Sequence, residues 1–161
     1  MSEIVEVAGF GVALDRIYDP AGHFWIAMVP ASPGDTPGPP GDRARIGLDA
    51  LGVETSGTLA QLAFLPVGEV LKRGEPFGSL EAAKFVGPLT SPLSGTLAAT
   101  NDLVVADPAL VERDPYGSGW LVELEVADPG ELGELISGAG IIRVWFEGEV
   151  ENYRMQGVLA E

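Results

Sequence analysis

Cysteine is absent from the 161 residues, histidine occurs once and lysine only twice. Without thiols the chain has no disulfide, no thiolate metal ligand and no sulfur nucleophile, so any sulfur chemistry must be imported. One imidazole leaves too few donors for a nitrogen and sulfur metal cage, and a Ser-His-Asp triad could use only His23. That residue opens the apolar run His23-Phe24-Trp25-Ile26 and reads as a packing or hydrogen-bonding histidine. Gly117-Ser118-Gly119 lacks the lysine and following helix of a phosphate loop, and no Asp-x-Asp-x-Asp-Gly spacing marks a calcium loop. Positive charge is scarce: 9 basic against 24 acidic side chains give a net charge of −15. Nucleic acid and anionic membrane surfaces are repelled by such a chain, whereas a basic partner surface suits it; plain solubility is the other use of that charge. No apolar run approaches the ~18 residues of a membrane span. Met1 to Val12 carries acids rather than a basic leader, so the chain reads as cytoplasmic.

What is abundant is turn chemistry. Glycine and proline number 22 and 13, a content that points to many turns in a mainly β domain while staying below the level of disorder. A chain of this length suits one domain, residues 1–161, with a helical extension at about 128–161. Ile4 to Val12 and His23 to Val29 are β-branched and aromatic and read as strands. Pro30 to Asp42 holds five of the thirteen prolines and reads as an exposed loop, after which Arg43 to Leu48 resumes the sheet. Asp49 to Gly52 reads as a short helical turn, and Thr58 to Phe64 and Leu121 to Val126 as further strands. Two Asp-Pro turns enclose a short helical or extended piece between Asp107 and Trp120. Pro129 to Ile136 carries helix signals, with Asp128 as cap and Gly138 as stop, and Arg143 to Gln156 reads as a second helix ended by Gly157. Trp145, Phe146, Val150 and Tyr153 give that helix an apolar face.

A weak internal echo runs from Pro66 at an offset of 27 residues, matching Gly68 to Gly95, Val70 to Leu97, Gly74 to Asn101 and Glu75 to Asp102. Gly and Asn take positive φ most readily, so these positions read as equivalent turns of two similar halves. Between the halves lies Lys84, where the chain should reverse direction. Lys72 sits beside Arg73 in a hydrophilic turn, but Lys84 stands alone among Ala82, Ala83, Phe85 and Val86. The residues by themselves leave two readings open, a displayed lysine or one that merely solubilises a hairpin.

The segment Glu81-Ala82-Ala83-Lys84-Phe85-Val86-Gly87-Pro88-Leu89-Thr90-Ser91-Pro92-Leu93-Ser94-Gly95 resembles the lipoyl-lysine hairpin of the glycine cleavage system H protein, usually Glu-Ser-Val-Lys-Ala followed by Ser-Pro-Val-Ser-Gly. The family's acidic residue three before the lysine falls on Glu81, and its glycine eleven after falls on Gly95. The likeness extends through His23 and Trp25, Val67-Gly68, Gly74-Glu75, Asn101, Pro108 to Val111 and the specific string Asp114-Pro115-Tyr116-Gly117-Ser118-Gly119-Trp120-Leu121, covering about His23 to Ile136. The resemblance implies a flattened β-sandwich of lipoyl-domain, barrel-sandwich hybrid type with short C-terminal helices. It also implies lipoate in amide linkage on Lys84, with Glu81 and Gly95 read by the attaching enzyme, a lipoate ligase or lipoyl synthesis enzyme. In such a protein the polypeptide is a carrier and the catalysts are its partners. Biotin carriers share the hairpin, but their lysine lies between two methionines, where this chain has Ala83 and Phe85.

Several positions depart from the family's pattern. Ser56 to Pro66 loses the usual acids, Phe85-Val86-Gly87-Pro88 replaces a small polar stretch, Pro30 to Asp42 is an insertion and the tail beyond Val144 is long. These departures resemble the lipoate-binding proteins of the heterodisulfide-reductase-like sulfur oxidation pathway. The expectation is therefore a monomeric lipoyl shuttle serving a heterodisulfide-reductase-like complex and sulfurtransferases. The alternative partners are glycine decarboxylase, aminomethyltransferase and dihydrolipoyl dehydrogenase, with an aminomethyl group as cargo. A non-lipoylated binding or regulatory module is the reading from another class.

Overall fold

The computed structural model describes residues 4–29 and 43–159. Eleven strands and four α-helices occur among them in the order β1 (Ile4–Val7), β2 (Phe10–Ala13), β3 (Ile17–Asp19), β4 (Phe24–Val29), β5 (Arg43–Leu48), α1 (Ala50–Ser56), β6 (Leu59–Phe64), β7 (Val70–Leu71), β8 (Pro76–Ala82), β9 (Val86–Thr90), β10 (Gly95–Thr100), α2 (Asp102–Ala106), α3 (Ala109–Arg113), β11 (Val122–Val126) and α4 (Ala139–Met155). A six-stranded sheet, β3-β4-β5-β11-β10-β7, faces a three-stranded sheet, β6-β8-β9, and β1-β2 forms a separate hairpin. Every strand pairing is antiparallel. The expected β-sandwich is the fold, and the proline-rich loop at Pro30 to Asp42 lies outside the described residues.

The main core forms where the two sheets meet. Ile26, Ile46, Leu97 and Leu124 from the larger sheet pack in one cluster with Leu59, Leu62, Phe77, Leu80 and Leu89 from the smaller. Strand alternation then loads the other face of β4: Phe24 and Ile26 belong to this core, whereas Trp25 between them joins a second cluster with Tyr18, Phe146 and Val150. The second cluster is what α4 and the β1-β2 hairpin cover. Full burial of Phe146 seats the helix on the sandwich.

Several boundaries differ from the sequence reading for identifiable reasons. Ile4 to Val12 is two strands, because Ala8 and Gly9 adopt φ of 52° and 93° and turn the chain back on itself. The helical turn at Asp49 continues through Ser56 as α1, its first amides capped by the Asp49 carboxylate accepting from Gly52 N–H at 2.9 Å. Pro129 to Glu134 is a 3-10 helix, shorter than the expected element, capped by Asp128 as the sequence indicated. The last helix begins at Ala139. The echo is only partly one of turns: Gly68 and Gly74 have positive φ, but Gly95 is extended within β10 and Asn101 caps α2 at φ −89°. Here β7 and β10 pair with each other, but not in the register of the echo: Gly95 faces Leu71 and Val70 faces Thr96.

Candidate functional site

Lys84 lies in the tight reversal between β8 and β9, where the chain was expected to turn. Ala82 N–H donates to the Phe85 carbonyl at 2.8 Å and closes the turn. The next two amides point across to the α1–β6 connection: Ala83 N–H donates to Thr58 O at 2.9 Å and Lys84 N–H to Ser56 O at 2.8 Å. Lys84 itself is exposed. Its ammonium has no hydrogen-bond or ion-pair partner among the described residues. A buried lysine would meet an acyl donor poorly, and an ion-paired one would have to give up its partner first; neither obstacle exists here.

Of the other two residues singled out by sequence, Glu81 sits three positions before the lysine on β8, exposed, opposite Gln61 on β6 and Val86 on β9. Gly95 is not at the tip. It opens β10 in the larger sheet, paired with Leu71 and Val126. A Cβ at Gly95 would collide with the carbonyl oxygen of Glu125. Strand packing alone therefore demands a glycine there, whatever an attaching enzyme reads.

Beside the hairpin opens a cleft of about 260 Å³, lined by His23, Thr55, Phe85, Pro88 and Tyr153 among others. His23 is the buried, hydrogen-bonded residue its context implied. Its Nδ1 lies 2.8 Å from Asp49 Oδ2, its Nε2 lies 3.0 Å from Glu149 Oε1, and its ring stacks on Trp145 at 5.4 Å and 19°. Burial depresses the imidazole's proton affinity, but the hydrogen bonds and charges of Asp49 and then Glu149 outweigh it, and the pKa is raised above the ordinary value. Burial pushes the Asp49 carboxyl up, against the pull of His23 and the Gly52 and Leu51 amides. Sequence reasoning missed Asp49 and Glu149 as partners because they lie 26 and 126 residues away. The nearest local signal was Asp49 at a helix start.

The string from Asp114 to Leu121 builds the scaffold for α1. The Asp114 carboxylate accepts from Ser118 N–H and Oγ–H at 2.9 and 2.7 Å, and Trp25 Nε1–H donates to Pro115 O at 2.8 Å. Ala50 N–H, at the first turn of α1, donates to the Tyr116 hydroxyl at 3.1 Å. The other end of the same helix supplies the Ser56 carbonyl that receives Lys84 N–H. One short helix thus links the most family-specific motif to the lysine. Among the described residues no cluster of histidine and carboxylates could hold a metal, and no helix is long and apolar enough to cross a membrane.

Comparison with known proteins is consistent with this geometry. The family model described as glycine cleavage H-protein matches residues 40–145. The glycine cleavage system H protein of Gloeobacter violaceus is 41% identical over 98 residues, covering 60% of this chain and 76% of that protein. That of Nostoc punctiforme is 38% identical over 109 residues, covering 68% and 84%. The crystal structure of a glycine cleavage system H protein from Mycobacterium marinum superposes with a TM-score of 0.61 at 33% identity, covering 76% of this chain and 97% of the other. Most of α4, including Glu149 and Tyr153, lies beyond the residues that the family model matches. With the hairpin lysine, the sandwich and two thirds of the sequence in agreement, the chain belongs to the glycine cleavage H-protein family, whose members carry lipoate covalently on a lysine and are carriers rather than enzymes.

Proposed function

We propose that this protein is a lipoyl carrier with the arm attached to Lys84 Nζ, and that it serves glycine cleavage, handing an aminomethyl group between glycine decarboxylase and aminomethyltransferase. The observation that carries the site is an exposed lysine, without a partner among the described residues, on a hydrogen-bonded hairpin tip with a cleft alongside. Lipoate bound there supplies the dithiol that a polypeptide without cysteine lacks. Acylation removes the Lys84 charge and takes the formal total from −15 to −16. Tethering to a fixed hairpin gives the carried group an effective concentration of order mM at a partner's active site. Glu81, exposed beside the lysine, is the residue best placed for reading by the attaching enzyme, while Gly95 acts through the strand packing beneath.

The sequence departures pointed to sulfur oxidation as the pathway, but the matched relatives are glycine cleavage H proteins. The pathway reading therefore moves to glycine cleavage, with dihydrolipoyl dehydrogenase as the reoxidising partner and the cytoplasm as the compartment. We take the chain as one carrier domain, monomeric, with α4 as its added C-terminal part. Incubation with a lipoate ligase, lipoate and ATP should raise the intact mass by one lipoyl group, and Lys84→Arg should abolish the rise. A mass increase that survives in the Lys84→Arg protein overturns the site. For the pathway, the lipoylated protein should support glycine decarboxylation with glycine decarboxylase; exchange only with a heterodisulfide-reductase-like complex would restore the sulfur reading.

A further inference from the structure

We propose that the turn joining α1 to β6, with Gly57 at its apex, is a positioning element that presents Lys84 to the enzyme that acylates it. The proposal rests on the reading of Lys84 as the lipoyl site and names the device that holds it. An exposed hairpin tip would ordinarily leave its amides to water. Here the Ala83 and Lys84 amides are both taken by the carbonyls on either side of Gly57, those of Thr58 and Ser56. The backbone beneath the lysine is thereby tied to a helix end.

Gly57 is the residue that permits this approach. Its φ of 77° and ψ of −164° fall in a region essentially confined to glycine. A Cβ at that position would lie 3.2 Å from Ala83 Cβ, 3.3 Å from Lys84 Cγ and 3.4 Å from Lys84 N. The first carbons of the lysine stem therefore run along the bare face of the glycine, while the ammonium end stays in solvent. Such a lysine has a fixed base and a free tip.

The chemistry explains why this matters. Nζ attacks the carbonyl carbon of an acyl adenylate; the amide C–N bond forms, the acyl–oxygen bond to phosphate breaks with release of the nucleoside monophosphate, and the ammonium gives up two protons. Transfer of this kind depends on holding the amine at near-attack distance, and a displacement of about 1 Å can cost two orders of magnitude in rate. Restricting the stem reduces the space the nitrogen searches without touching the surface that the ligase binds.

The test is steady-state lipoylation of the full apo chain by a lipoate ligase, comparing wild type with Gly57→Ala, together with amide hydrogen exchange at residues 83 and 84. The expected result is kcat lowered at least tenfold with KM within twofold, and exchange of the Lys84 amide accelerated at least tenfold, in protein that still unfolds cooperatively. Unchanged kcat in folded Gly57→Ala, or a loss that only tracks its unfolded fraction, overturns the proposal. Should the variant not fold, wild-type exchange decides: protection of both amides at least a hundredfold beyond an open loop supports the clamp, and open-loop exchange refutes it. Failure of the wild-type chain to accept any lipoyl group would instead overturn the Lys84 reading, and the exchange measurement would still decide the clamp.

Discussion

The two ends of α1 are held in opposite ways. At its start the Asp49 carboxylate is fully buried, shares a hydrogen bond with His23, and is linked through that imidazole to Glu149 and the aromatic face of α4. At its finish the helix is hydrogen-bonded to the lysine hairpin through backbone groups, across a glycine in a conformation that side chains avoid. One end is therefore built from titratable and aromatic side chains and responds to pH and to their replacement. The other is held by backbone hydrogen bonds and should respond chiefly to changes of backbone or of the space at Gly57. For a carrier that division would be useful: variation in the body, including the added helix, should leave the geometry of the exposed lysine intact.

The comparison can be broken most forcefully at the side-chain end. Phe146→Ala removes a fully buried ring between α4 and the sandwich and should cost about 3–5 kcal/mol in urea denaturation. Lipoylation of the remaining folded protein should proceed at the wild-type rate; a matching fall in kcat would show that the two ends are coupled. Asp49→Ala deletes both the helix cap and the buried partner of His23, and a loss of about 1–3 kcal/mol is expected. Calorimetry of the variant should show a lower melting temperature, and lipoylation kinetics should again separate the ends.

A smaller effect is expected from pH. The His23 pKa is raised in the folded state, so the protonated imidazole is stabilising. That contribution is fully present below the unfolded value near 6.5 and is lost as pH rises through the higher folded value. Denaturation midpoints measured from pH 6 to 9 should fall across this window in the wild type. A level wild-type profile would remove the ionic role assigned to His23. The smallest change belongs to Glu112, an exposed α3 residue whose carboxylate is a distant 3.4 Å from Leu59 N near the hairpin. Glu112→Gln should alter stability by less than about 0.5 kcal/mol. A larger loss would reveal a side-chain contribution at the end now assigned to backbone.

Legibility divides along the range of the interactions involved. Runs of β-branched, aromatic and other apolar residues bounded by turn signals made β4, β5, β6 and β11 readable within a residue or two, because strand character and chain reversals are written into neighbouring positions. The Asp128 cap was readable for the same local reason, and the reversal at Lys84 from its place between the two halves of the internal echo. The split of Ile4 to Val12 was not, since Ala8 at positive φ breaks the usual residue preference and is enforced by the hairpin around it. The displayed lysine was legible by its isolation and by its family likeness, but Gly57 carried no signal, lying 27 residues earlier.

What the sequence by itself determined is the chemical character of the protein. It has no thiols, a strong negative charge, strands punctuated by turns, and one lysine set apart among small and apolar neighbours. Tertiary structure alone decided that Gly95 serves strand packing, that His23 joins α1 to α4, and that the turn at Gly57 carries the base of the lysine. The physical reason is that residue type and local pattern set what a segment can bury or expose, whereas contacts between distant segments arise only once the two sheets close on a shared core.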